Sequence, residues 1–413
     1  GGMISFTELL DRIDDVWRTR RADLERQADE LVDIVGRLGR LEPTGQLVGQ
    51  AEVRETVGTI VGQFDPDWGG FGSAPKFPQA MTLDLLVQLD AAPQVVATSL
   101  DAMASGGIYD HLGGGFARYA TDRRWLVPHF EKMLYDQALC VRAYLHAWQR
   151  TGAAHLLQVV AETIEYVERD LALAAGAIAS AEDADSEGVE GKFYTWSFAE
   201  LHDVGGDLAV EWYGASEAGN WEGTNILWRP ERGDLLRPAE VEAARQALFE
   251  RRCRRVRPGL DDKVLTEWNA LWLSALAEAA LVTGRSDWLD AATRVGAFLW
   301  EELRRPDGRW LRSWQSDGGA RHLGYAADHA AIVDALVRLG EAAGEPSWLA
   351  RAEQSAADLI RLFWDDAHGG VYTTGTDAEA LITRPKDLLD TATPSANSLT
   401  ARALLRLGAL TGD

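Results

Sequence analysis

Thr266–Gly284 reads TEWNALWLSALAEAALVTG, and three other stretches repeat its plan: Asp136–Gly152 (DQALCVRAYLHAWQRTG), Ala327–Gly344 (ADHAAIVDALVRLGEAAG) and Pro394–Gly412 (PSANSLTARALLRLGALTG). Each is a mostly apolar helical run that closes on small residues and a glycine, and after all but the last an amphipathic helix begins within a few residues. Glycine suits such an ending because it takes the left-handed conformation of a helix C-terminus without steric cost. A shorter first run ends near Ala92 without a glycine, so the ends at 92, 152, 284, 344 and 412 are spaced by 60, 132, 60 and 68 residues. The double-length gap hides a repeat end near residue 218, and the pattern predicts six helical hairpins.

The last repeat stops after its first helix. An N-terminal helix that supplied the missing outer partner would close the array into an all-α (α/α)6 toroid, with six inner helices apolar nearly all round and amphipathic outer ones. An open solenoid, the competing architecture, would need polar terminal caps that are not seen. Ser5–Leu38 reads as one long amphipathic helix, and further helices are predicted from about Val48 to Phe64 and Gln79 to Leu89. The expected organisation is an N-terminal segment, 1–40, packed on a ring formed by 41–413. Ala177–Trp196 (AIASAEDADSEGVEGKFYTW) predicts a small β-hairpin at one mouth of the ring, and GRWLRSW and GGVYTTG look strand-like.

Composition narrows the function. With 41 basic and 64 acidic residues the net charge is −23, which opposes binding to nucleic-acid backbones and anionic lipid. The basic run Arg251–Arg257 reads as a solvated helix end. Two distant cysteines, Cys140 and Cys253, indicate neither a disulfide framework nor a cysteine zinc site. No apolar run is long enough for a membrane helix, and GGMISFTELL lacks the regions of a signal peptide. The expectation is a soluble, cytoplasmic chain.

The loops leading into the inner helices are chemically loaded and those leaving them are short, so function is expected at one mouth. The densest is Gly106–Gln137, GGIYDHLGGGFARYATDRRWLVPHFEKMLYDQ. Its His111, His129 and Glu131 offer acid/base groups near neutral pH, and Asp110 and Lys132 offer charges for a substrate. The H-x-E of His129 and Glu131 lacks the P-C-x-x-C that a zinc deaminase requires. Asp183 and Asp185 open a run resembling a calcium loop, yet its twelfth position is Tyr194 rather than Glu. No metal and no cofactor is expected. Asp183 and Asp262 are candidate facing carboxylates, and Lys263, Trp268 and Asn269 follow. Trp68, Lys76, Trp221, Arg384, Lys386 and Asn397 complete the expected substrate-binding set, with tryptophans available to stack on sugar faces. Capping, ion pairing and core packing are the competing structural roles for each. No Walker A, Rossmann or G-x-S-x-G motif occurs.

GFGSAPKFP (Gly70–Pro78), the Gly106–Gln137 stretch, SAEDADSEGVEGKFYTW, GNWEGTNIL, RPGLDDKVLTEWNAL and RPKDLLDTATPSANS together resemble the thioredoxin-domain-containing, spermatogenesis-associated family. The resemblance covers nearly the whole chain. It implies a thioredoxin-like domain followed by a six-hairpin glycosidase-like toroid similar in shape to N-acylglucosamine 2-epimerases, of which this chain holds only the second part. Residues 1–40 then resemble the connection to that absent domain. Where relatives resemble GGGFHRYS this chain has Ala117 and Ala120, where they resemble EDYA it has Ala327–Ala330, and Glu267 replaces a small polar residue.

Two functions follow as expectations. One is a carbohydrate-active enzyme binding a saccharide-like small molecule: a hydrolase would set Asp183 against Asp262 across the cavity, and an epimerase or isomerase would use His111 and His129 on opposite substrate faces. The other is a non-catalytic toroid that binds a ligand or partner for the redox domain.

Overall fold

In the computed structural model, residues 4–38, 45, 47–233 and 235–412 are described. The ends expected at Gly1–Gly2 and Asp413, and the connection through residues 39 and 40, lie outside them.

The helices follow as α1 (Phe6–Thr19), α2 (Arg21–Leu38), α3 (Gln50–Val61), α4 (Ala80–Gln88), α5 (Pro93–Ser105), α6 (Leu134–Thr151), α7 (Ala154–Tyr166), α8 (Phe198–Trp212), α9 (Ala239–Arg252), α10 (Thr266–Thr283), α11 (Ser286–Glu302), α12 (Ala326–Ala343), α13 (Pro346–Phe363) and α14 (Ala396–Thr411). Inner helices α4, α6, α10, α12 and α14 pack in succession, and α7, α11 and α13 lie against the inner helix that precedes them. The fold is the all-α toroid. Gly152, Gly284, Gly344 and Gly412 cap α6, α10, α12 and α14 at φ 69°, 70°, 66° and 81°, the left-handed ending that marked the repeats. At the first repeat Asp90 and Ala92 take that role, at φ 52° and 48°.

The hidden repeat end is at Trp212, and its hairpin differs from the others. Helix α6 packs directly on α10, while α8 and α9 pack on each other around Trp196, Leu201, Tyr213 and Leu248. Helix α8 is broken at Gly206, where φ is 68°.

The N-terminal segment departs from expectation. The predicted long helix breaks at Arg20 into α1 and α2, and Phe6, Leu9, Leu10, Ile13 and Trp17 are exposed rather than packed on the ring. Val57 and Ile60 of α3 reach the core instead.

Short strands stitch the mouth. These are β1 (Tyr119–Ala120), β2 (Pro128–His129), β3 (Lys132–Met133), β4 (Ala181–Glu182), β5 (Asp185–Ser186), β6 (Val189–Glu190), β7 (Leu260–Asp261), β8 (Val264–Leu265), β9 (Leu311–Gln315) and β10 (Gly319–Leu323). Strands β5 and β6 form the expected hairpin, β9 from GRWLRSW pairs with β8 and β10, and GGVYTTG makes one isolated bridge, Trp364 to Val371. The sheet β3-β4-β7 ties three loaded loops together.

The inner helices are not apolar all round. Between them His146 contacts Asp84 and Glu278, Arg142 bonds Glu278 at 3.1 Å, and Arg338 bonds Glu278 and Asp334 at 2.9 Å. These charges are tolerated inside the ring because they pair, within α12 and across to neighbouring helices, a pairing that hydropathy along one helix does not show.

Candidate active site

Three segments share one turn: Phe64–Phe71 (FDPDWGGF), Tyr109–Phe116 (YDHLGGGF) and Trp364–Val371 (WDDAHGGV). In each the first and last residues form a β-bridge. The aspartate's backbone N–H donates to the carbonyl of Gly70, Gly115 or Gly370, at 2.9, 3.0 and 2.9 Å. Its Oδ1 accepts the amides two and three residues on. A lysine then seats on Oδ2 and on a glycine carbonyl: Lys76 on Asp65 and Gly69 (2.7 and 2.8 Å), Lys132 on Asp110 and Gly114 (2.9 and 3.0 Å), Lys386 on Asp365 and Gly369 (2.7 and 2.6 Å). The turn needs glycine where the chain doubles back, since Gly115 has φ 82° and a side chain there would strike Tyr166.

Several expected substrate residues are therefore turn anchors. Lys76 also donates to the Arg123 carbonyl, so its three protons are used. Asp110 additionally takes both nitrogens of Arg252 at 2.7 and 2.8 Å. Burial pushes its pKa up, but Arg252 and Lys132 outweigh burial and hold it well below the carboxylate range. The basic run is correspondingly paired: Arg252 with Asp110, Arg255 with Glu200 and Arg257 with Glu182.

Asn269 and Asn397 are clamps as well. Asn269 bonds both the amide and the carbonyl of Ile178 at 2.9 Å, and Asn397 does the same to Val371 at 2.8 and 3.0 Å. Gln137 holds Phe116 in this way at 2.7 Å. Arg384 donates to the Thr374 carbonyl at 2.6 Å and lies over Tyr372.

The two catalytic pairs do not assemble as expected. His111 is buried, its Nε2 is 2.9 Å from the Gly106 carbonyl, and burial pushes its pKa to about 4. It lines a space of about 30 Å³ with Asp110 and Lys132, while His129 sits elsewhere between Glu131 and Glu190. Asp183 and Asp262 are both exposed. Ala181 pairs with Asp261, so the two aspartates fall three residues apart along the ladder, about 10 Å, on opposite faces. Asp262 bonds Gln315, and Lys263 pairs with Asp261 at 3.0 Å. Asp185 is exposed in β5, Trp221 packs on Phe130, and Trp68 lies under Arg124 and Arg232.

The main cavity holds about 740 Å³ and opens between α4 and α14, with α6 and α10 behind. Phe77, Tyr135, Asp136, Arg142, Thr391 and Arg402 are among its walls. Asp136, in the first turn of α6, has an Oδ2 that is sealed from solvent without a hydrogen-bond partner. Burial raises its pKa well above the carboxylate range, with Arg118 opposing and Glu131 adding. Arg118 meets Glu131 at 3.4 Å, Glu131 meets His129 at 3.5 Å, and Tyr119 stacks between His129 and Phe77. Trp268 packs edge-on against Tyr135 at 4.8 Å. In the first turn of α10, Glu267 is pushed up to about 7 by burial and the Asp328 charge. His129, Glu131 and Trp268 thus lie beside the cavity walls. Asp136 and Glu267, which carry the perturbed carboxyls, were not among the expected site residues; both sit in the first turn of a helix, where an acid is commonplace because it complements the dipole.

Human spermatogenesis-associated protein 20 is 33% identical over 475 residues, covering 99% of this chain and 60% of that protein. Over nearly its whole length the chain is similar to spermatogenesis-associated protein 20. The rat protein matches at 34%, with the same coverage, so the chain spans about three-fifths of the length of these relatives. No protein-family model matches it. Among solved structures it is similar to an unsaturated glucuronyl hydrolase specific for heparin (12% identity, TM-score 0.49, covering 88% of this chain and 81% of that one). It is also similar to a sugar epimerase from a ruminal bacterium (13%, TM-score 0.39, 88% and 99%). At that distance no residue's role carries over. Among the described residues no helix is long and apolar enough to cross a membrane.

Proposed function

We propose that the cavity carries acid–base chemistry on a saccharide-like small molecule, with Asp136 as proton donor. The supporting observation is the Asp136 carboxyl, which reaches a cavity of about 740 Å³ with one oxygen buried and unpartnered. Cavities of this size suit small ligands, and an uncharged carboxyl can donate a proton to a leaving or ring oxygen. Glu131 is the neighbouring carboxylate available as base, oriented by Arg118 and His129. A buried carboxyl without a partner is destabilising, and a role in proton transfer would account for its presence at the cavity wall.

The test is a saccharide panel followed by NMR for binding and turnover. Asp136→Asn is expected to bind as the wild type does and to lose turnover; turnover unchanged in a folded Asp136→Asn protein would refute the assignment.

A further inference from the structure

Besides Asp136, the cavity is lined by cationic side chains. Arg142 of α6 lines it with a side chain only 7% exposed. Its Nε donates to Glu278 at 3.1 Å, while Nη2 is buried with no hydrogen-bond partner. An N–H of a guanidinium sealed from water without an acceptor is costly, and a ligand oxygen would relieve it. Arg402, from α14 on the facing side, lines the same cavity, and its ion pair is a loose 3.9 Å contact with Asp334. The acids nearby each pair with a cation. Asp84 is held by His146 and by Gln88, Glu278 by His146, Arg142 and Arg338, and Asp334 by Arg338 and Ser274 through Oδ2, while its Oδ1 is buried without a hydrogen-bond partner.

His146 belongs to the cations of this cluster: burial lowers its pKa, but bonds to Asp84 and Glu278 raise it to about 9. Arg142, His146, Arg338 and Arg402 therefore face three carboxylates, and one positive charge is left over in a chain of net charge −23. Asp390, also lining the cavity, is exposed and accepts the Ser395 amide at 2.8 Å.

We propose that Arg142 and Arg402 form an anion subsite that takes a carboxylate or phosphate group of the same small molecule whose hydroxyls face Asp136. The proposal rests on the reading of this cavity as the reaction site and narrows its substrate to an acidic sugar, either a uronic acid or a sugar phosphate. Guanidinium groups match both anions through paired N–H donors. Arg142 lies six residues beyond Asp136, about 9 Å of helix rise, which suits a charged mono- or disaccharide.

Calorimetric titration of glucose, glucuronate, glucose 6-phosphate and inorganic phosphate into the wild type, Arg402→Gln, Arg142→Lys and Asp136→Asn tests this. One of the two acidic sugars is expected to bind at least about tenfold more tightly than glucose, and which one does so distinguishes carboxylate from phosphate. Arg402→Gln should erase that preference without changing glucose affinity. Arg142→Lys, which keeps the charge and the contact with Glu278, should weaken it because the paired donors are gone. Inorganic phosphate should compete with the acidic sugar. Equal binding of acidic and neutral sugars by the wild type, or a preference untouched in folded Arg402→Gln, would overturn the subsite. An Arg402-dependent preference that persists in Asp136→Asn while turnover also persists would support the subsite and remove the assignment of the acid.

Discussion

The three Asp-Gly-Gly turns and the wall of the main cavity use the same residue types to opposite ends. In the turns, Asp65, Asp110 and Asp365 spend their acceptors on backbone amides and a lysine, and bonds to basic side chains hold all three acids below the ordinary carboxylate range. At the cavity Asp136 Oδ2 and Arg142 Nη2 are equally sealed but have no partner. A charged residue in a loaded loop thus says little about function until its bonds are counted. Saturation marks an anchor, whereas an unmet buried donor or acceptor calls for an explanation; at the cavity wall a ligand is the one proposed, while the unpartnered Arg252 Nε belongs to a turn anchor.

Lys132→Met attacks the saturated side. It leaves Asp110 with one cation fewer in a buried site, and a loss of about 3–5 kcal/mol is expected in urea unfolding. A loss below about 1 kcal/mol would mean that the turns are not held by their lysines. Asp136→Asn attacks the other side. Turnover should fall by about 10²–10⁴, with stability equal to or greater than that of the wild type. Because the folded pKa of Asp136 is raised, its contribution to stability is complete at low pH and is lost as pH rises from the ordinary carboxylate value through the raised one. The Asn variant should lack that component of the decline.

Glu267→Gln sharpens the contrast with a smaller effect. The wild-type carboxyl is held near 7, so wild-type stability should decline as pH rises from about 4.5 through 7. At pH 8 the Gln variant should be more stable by about 3 kcal/mol, and a carboxyl infrared band titrating near 7 should vanish. Smallest of all, Asp183→Asn and Asp262→Asn should each shift stability by less than about 0.5 kcal/mol, with turnover within about twofold; a large loss of turnover in either would return the reaction to the β4–β7 rim.

The hairpins were legible because their signals are local. A closing glycine and an apolar run need no knowledge of neighbours, and the four capping glycines carry the expected backbone. The N-terminal helix was less so, since amphipathicity shows that a face exists and not what covers it. The D-x-x-x-G-G pattern was in plain view at 65, 110 and 365. Its meaning was hidden because the seating lysines lie 11 and 22 residues away at the first two, and lysine in a loop has no local sign of burial. Asp136 and Arg142 were least legible. Their lack of partners depends on α4 and α14, which are distant in sequence and close around them only in the ring.

The ion cluster across the inner helices has a further effect. Its Arg142, Asp334 and Arg338 side chains are 3–7% exposed, so this part of the ring's interior is filled by paired charge rather than by apolar packing alone. On the proposed reading, a ligand would pass the Asp390–Pro394 loop, which lines the cavity.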